Sequence, residues 1–115
     1  MLWQQSHVVF VTINLPGGSN NDQDICYGTP TMSQAQADEI IERSGADLRW
    51  LDVVFALAQN NPNVQGVVIV AQADMWDAEK GVAYQAGYEP FVQNIARHAT
   101  AFGKPVLMLN GDSHA

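Results

Sequence analysis

The stretch Lys104-Pro105-Val106-Leu107-Met108-Leu109-Asn110, followed by Gly111-Asp112-Ser113-His114, decides how this chain is read. An apolar run between a proline and an Asn-Gly pair predicts a short buried strand. Just past its end stand a carboxylate, a hydroxyl and an imidazole. In open α/β sheets, ligand chemistry collects at the carboxyl ends of strands, so this edge is expected to belong to a site. Because Ala115 comes directly after His114, the expectation is part of a site within a larger domain.

Working backward, Pro90 opens a helix that runs to Phe102 and is stopped by Gly103. Proline is tolerated in a first helical turn, and glycine favours the position after the last one. Phe91, Ile95 and Ala99 step by fours along its inner face. Val64 to Ala71 predicts a second buried strand, centred on Val67-Val68-Ile69-Val70. Before it, Asn60-Asn61-Pro62-Asn63 stops a long helix that starts after a cap at Thr31 or Ser33, with a break expected at Gly45. Leu48, Leu51, Phe55 and Ala58 form the core stripe of that helix, and Asp47, Arg49, Asp52 and Gln59 fall largely off it. Val8 to Ile13 predicts a central strand covered on both faces, preceded by a short strand at Trp3 to Gln5. Two long connections remain, Leu15–Thr31 and Gln72–Gly87. The first contains Pro16-Gly17-Gly18-Ser19-Asn20-Asn21-Asp22 and is longer than most structural loops, which makes it a functional candidate. In the second, Asp74 or Asp77 is expected to start a helical turn.

The order strand, helix, strand, helix, strand implies an α/β fold with right-handed crossovers and a mainly parallel sheet. Residues 1–115 read as one domain, with no repeat or linker. Three main strands leave an unpartnered edge, through which a second copy is expected to associate.

Composition narrows the function. Five basic against twelve acidic residues give a formal charge of −7, which repels a phosphate backbone unless cations intervene. Nucleic acid is therefore not an expected partner. No apolar run approaches the ~18 residues of a membrane span, and the N-terminal apolar segment lacks the basic residues and cleavage site of a signal peptide. The cytoplasm is the default compartment, although a longer protein could carry an export signal upstream. The one cysteine, Cys26, has no internal disulfide partner and reads as a small hydrophobe.

Three groups of polar residues stand at strand ends, each with two readings. Gly111–His114 is either a turn with a solvated tail or a ligand pair, since Asp112 and His114 point the same way on an extended segment. Adjacent residues on one turn cannot form a Ser-His-Asp triad. Gln72, with Asp74, is either a polar strand exit or the wall of the same pocket. Asn20, Asn21 and Asp22 are either ordinary turn formers or substrate contacts.

Taken in order, Asp47-Leu48-Arg49-Trp50-Leu51-Asp52, Val67-Val68-Ile69-Val70-Ala71-Gln72 and Gly111-Asp112-Ser113-His114 resemble the second half of a calcineurin-like metallophosphoesterase. In that family a Gln-Leu-x-Trp-Leu helix precedes a strand ending in a metal-binding His and a strand ending in Gly-His-x-His. The resemblance covers nearly all of the chain. It implies one half of a metallophosphoesterase-like sandwich and a divalent metal (Mn, Fe, Zn or Mg) held by His114 and Asp112. Gln72 stands where a ligating His is expected and is the third candidate metal position. Asn20 and Asn21, placed after the first strand at the same edge, are the candidate substrate contacts. Asp112 and Gln72 depart from the family's histidines. The Asp-x-His, Gly-Asp and Gly-Asn-His-Asp/Glu patterns of its first half do not occur in this chain, so the isolated chain is expected to be weakly active or inactive. The alternative is a non-catalytic α/β module with a degenerated metal site that binds a partner or a second copy.

Overall fold

The computed structural model describes residues 1–20, 33–77 and 81–111. Four strands form one sheet in the order β1 (Leu2–Gln5), β2 (Val8–Thr12), β3 (Gly66–Ala71) and β4 (Val106–Asn110). β1 is antiparallel to β2; β2, β3 and β4 run parallel. The short N-terminal strand is therefore an antiparallel edge on a parallel sheet. Its turn uses Ser6 (φ 52°) and His7 (φ 68°), two successive left-handed residues, the backbone that matches a two-residue hairpin to strand twist.

β2 is followed by a short helix, α1 (Gly17–Asn20), and the long helix α2 (Gln34–Asn60). Ser33 caps α2, its hydroxyl accepting from the Gln36 N–H at 3.1 Å. The break expected at Gly45 does not occur. One glycine costs a helix interior only about 1 kcal/mol, less than the packing of α2 returns. The missing Cβ also leaves room for Arg49, whose Nη1 lies 3.1 Å from where that carbon would sit. The expected stop holds, with Asn61 as C-cap.

Between β3 and β4 come α3 (Val82–Ala86) and α4 (Glu89–Phe102). Of the two residues expected to start a helical turn, what directly follows Asp77 lies outside the described residues, and Asp74 starts a short turn. Its carboxylate accepts from the Trp76 N–H at 3.1 Å and closes a local turn. α4 carries Pro90 in its first turn and ends on Gly103 at φ 72°, as its sequence predicts.

Both crossovers are β-α-β units that step the same way across the sheet. Right-handed crossovers then place α2 and α4 on the same face. That face is the core: Val9, Val11, Val67 and Ile69 pack under Leu51, Val54 and Phe55 of α2 and Phe91 and Ile95 of α4. His98 stacks on Phe55 at 4.9 Å, and Phe102 meets the same ring edge-on. Asp52 joins the helices from outside, accepting from Asn94 Nδ2 at 3.1 Å and bonding His98 Nε2 at 2.6 Å.

The other face has no helix over it among the described residues. The expectation that Val8 to Ile13 is covered on both sides is corrected here. Val9 and Val11 are buried, whereas Val8 and Phe10 are only half-buried. The register sets Trp3, Phe10, Val68 and Leu107 in one row across all four strands. Trp3 stacks on Phe10 at 5.2 Å, and Leu107 is 55% exposed. No strand residue is Asp, Glu, Lys or Arg. Among the described residues, no helix is long and apolar enough to cross a membrane.

Candidate functional site

Because β2, β3 and β4 are parallel, their carboxyl ends share one edge of the sheet. Ala71 pairs with Asn110, and beyond that pair the Gly111 N–H donates to the Gln72 carbonyl at 3.1 Å. The structure thus brings the root of the Gly111–His114 segment beside Gln72. Asp112 and His114 themselves lie outside the described residues, as do Asn21 and Cys26.

On the other side of β3, the segment from Asn14 to Asn20 folds over the same edge and is tied down from α2, from the residues just after β3 and from the start of α4. The Ala73 N–H donates to the Leu15 carbonyl at 3.0 Å. The Tyr88 hydroxyl, buried at the start of α4, donates to the Pro16 carbonyl at 2.8 Å. Gln72 Oε1 accepts from the Gly17 N–H at 2.6 Å. The Asn14 N–H donates to Asp47 Oδ1 at 3.2 Å.

Arg43 completes the arrangement. Its side chain is only 10% exposed. Nε donates to Glu39 Oε1 at 2.6 Å and Nη2 to Glu39 Oε2 at 3.4 Å. Nη1 reaches Asn20 Oδ1 at 2.5 Å and the Asn14 carbonyl at 3.4 Å, and Nη2 also reaches the Asn20 carbonyl at 3.3 Å. A guanidinium has five N–H groups in a fixed fork, and these five contacts use that capacity. The hydrogen bond from Arg43 holds the Glu39 carboxyl below the usual carboxylate range.

Asn20, read from sequence as a substrate contact, is buried, with a left-handed backbone (φ 61°). Its amide nitrogen donates to Ser44 Oγ at 2.8 Å while its oxygen serves Arg43. Both ends of the side chain are engaged with α2. The side-chain oxygen of Gln72, the atom a metal would need, is engaged by Gly17. An amide oxygen in that state fits a loop tether better than a ligand. Among the described residues, no group of three or more His, Cys, Asp or Glu is placed to hold a metal ion.

Asp47 departs most from expectation. It was placed off the core stripe but is buried at 8% exposure. One carboxylate oxygen takes the Asn14 N–H; the other has no hydrogen-bond partner among the described residues. Burial pushes its carboxyl above the usual range, opposed by the Asn14 hydrogen bond and the charge of Arg43. Beside it, an open cleft of about 300 Å³ is lined by Asn14, Glu39, Glu42, Arg43 and Ala46.

Sequence reading missed Arg43, Asp47 and Tyr88. For Arg43 a signal existed: Glu39 and Arg43 stand four apart on one helix, the spacing of an ion pair. For Tyr88 there was none, because its partner is the carbonyl of a residue 72 positions away. No protein-family model, no curated protein and no solved structure matches this chain.

Proposed function

We propose that this chain is one half of a metallophosphoesterase-like domain, a phosphoester hydrolase, and that its bare sheet face receives the rest of that domain. The observation that carries the reading is the juxtaposition at the strand ends, where the Gly111 N–H meets the Gln72 carbonyl. That is the meeting of the last two strand ends that the resemblance calls for. The face left uncovered by the described residues supports it independently, because parallel sheets are stable chiefly with both faces covered. In this reading His114 and Asp112 contribute to a divalent metal site completed by the other half, and the metal supplies an activated water. Gln72 holds the loop and does not ligate. The test is metal content and nitrophenyl phosphate turnover of a polypeptide containing both halves, with Mn, Fe, Zn and Mg each supplied. Metal-dependent turnover abolished by His114→Ala is the expected result. An intact, folded protein without turnover in any of the four metals overturns the proposal.

A second reading is favoured by the absence of charged residues from all four strands. In a chain of formal charge −7, this sheet is the surface two copies could share without bringing carboxylates together. Self-association through the bare face or the β4 edge would make the chain a non-catalytic module. Sedimentation that shows a monomer at all concentrations overturns that reading.

A further inference from the structure

We propose that Arg43 is a positioning residue which, with Tyr88, fixes the Asn14–Asn20 segment as a rigid wall of the site at the carboxyl edge of the sheet. The proposal rests on the reading of that edge as the functional one. Connections at such edges are ordinarily the mobile part of a fold. This one, which ends in the four-residue helix α1, is not left to itself. Arg43 grips the carbonyls of Asn14 and Asn20, the two ends of the segment, at 3.4 and 3.3 Å. Tyr88 takes Pro16, Gln72 takes Gly17 and Ala73 takes Leu15 between them. These grips come from α2, the start of α4 and the end of β3, so the segment is referenced to the whole scaffold.

A nearly buried guanidinium is costly unless its donors are met. Here they are met by one loop and by the carboxylate one helical turn away, so the charge is not left available to an anion. Arg43 therefore acts through the loop. What remains for a ligand is the surface the loop presents, already ordered before binding. Ordering a loop in advance lowers the entropic cost of binding. Lysine cannot replace this arginine, because one ammonium cannot reach two carbonyls, an amide oxygen and a carboxylate at once.

The experiment is amide hydrogen exchange on this chain for the wild type, Arg43→Ala, Arg43→Lys and Tyr88→Phe. Exchange of the 13–20 amides is expected to accelerate about tenfold or more in Arg43→Ala and Arg43→Lys, with β2 and β3 unchanged. Tyr88→Phe, which keeps the buried ring, is expected to give a smaller acceleration in the same segment. Unchanged exchange at 13–20, rescue by lysine, or equal acceleration across sheet and helices each overturns the proposal. The same variants in a polypeptide carrying both halves give the functional reading. Nitrophenyl phosphate KM is expected to rise with Arg43→Ala, and an unchanged KM and kcat overturns the positioning role. If the wild type shows no turnover, the phosphoesterase reading fails, while the exchange experiment still decides whether Arg43 fixes the loop.

Discussion

The two faces of the sheet are made of the same kinds of residue and meet different fates. Val9, Val11, Val67 and Ile69 are sealed under α2 and α4, whereas Phe10, Val68, Leu107 and Leu109, one position along the same strands, have no layer over them among the described residues. The difference does not lie in the side chains. It lies in the direction of the crossovers, which stack both helices on one side. A strand with apolar residues on both faces records that both are to be covered, not which piece of polypeptide covers each.

The largest expected effect tests that contrast directly. Phe55→Ala on the covered side should cost about 3–5 kcal/mol in urea unfolding. Leu107→Ala on the bare side should cost less than about 1 kcal/mol, as for a surface residue. Comparable losses at the two positions would break the contrast and show that the bare face is buried in solution against another copy.

Next in size is the strand-end loop. Tyr88→Phe removes one hydroxyl and leaves the Pro16 carbonyl without that donor, for an expected loss of about 1–3 kcal/mol. Thermal or urea unfolding measures it. A neutral result would mean that the loop is not held by the scaffold and that the edge is as loose as an ordinary turn.

Smaller effects come from two carboxylates of α2 whose environments are opposed. Asp47 has its folded-state pKa raised by burial. Its contribution is fully present below the ordinary aspartate range and is lost as pH rises through the raised value. Asp47→Asn should therefore gain stability relative to the wild type between acid and neutral pH. Asp52 has its pKa lowered, first by the hydrogen bond with His98 and then by that from Asn94. Its contribution is present above the ordinary aspartate range and is lost as pH falls through the lowered value. Asp52→Asn should flatten the acid limb of the stability curve by the smallest margin of the set, since the carboxylate is half exposed and screened. Chemical denaturation at a series of pH values checks both, and equal signs for the two variants would refute the assignment.

Local patterns made much of this architecture legible. The cap at Ser33 (one of two expected, with Thr31), the Asn60–Asn63 stop, Pro90 and Gly103 each act within a few residues of themselves, and each stands as its local pattern predicts. Gly45 misled because its preference is worth less than the tertiary packing of the helix around it. Asp47 misled because its burial depends on a loop 33 positions away. At the strand ends, the position of Gln72 follows from the order of the elements, but the hydrogen bond its side chain makes depends on Gly17, 55 positions away, coming within 2.6 Å.

The sequence by itself determined the alternation of the strands with the two long helices, the charge-free strands and the gathering of Gln72 and Gly111 at one edge, because periodicity, capping and parallel order are local or combinatorial properties. The short helices α1 and α3 fall in stretches that read only as connections. Only the tertiary structure decided which sheet face lies bare among the described residues and that the side chains of Asn20 and Gln72 bond α2 and the Gly17 N–H. It also placed Arg43 at the centre of the attachment of the Asn14–Asn20 segment. Those outcomes depend on groups far apart in the chain meeting within hydrogen-bond distance, which no local pattern encodes.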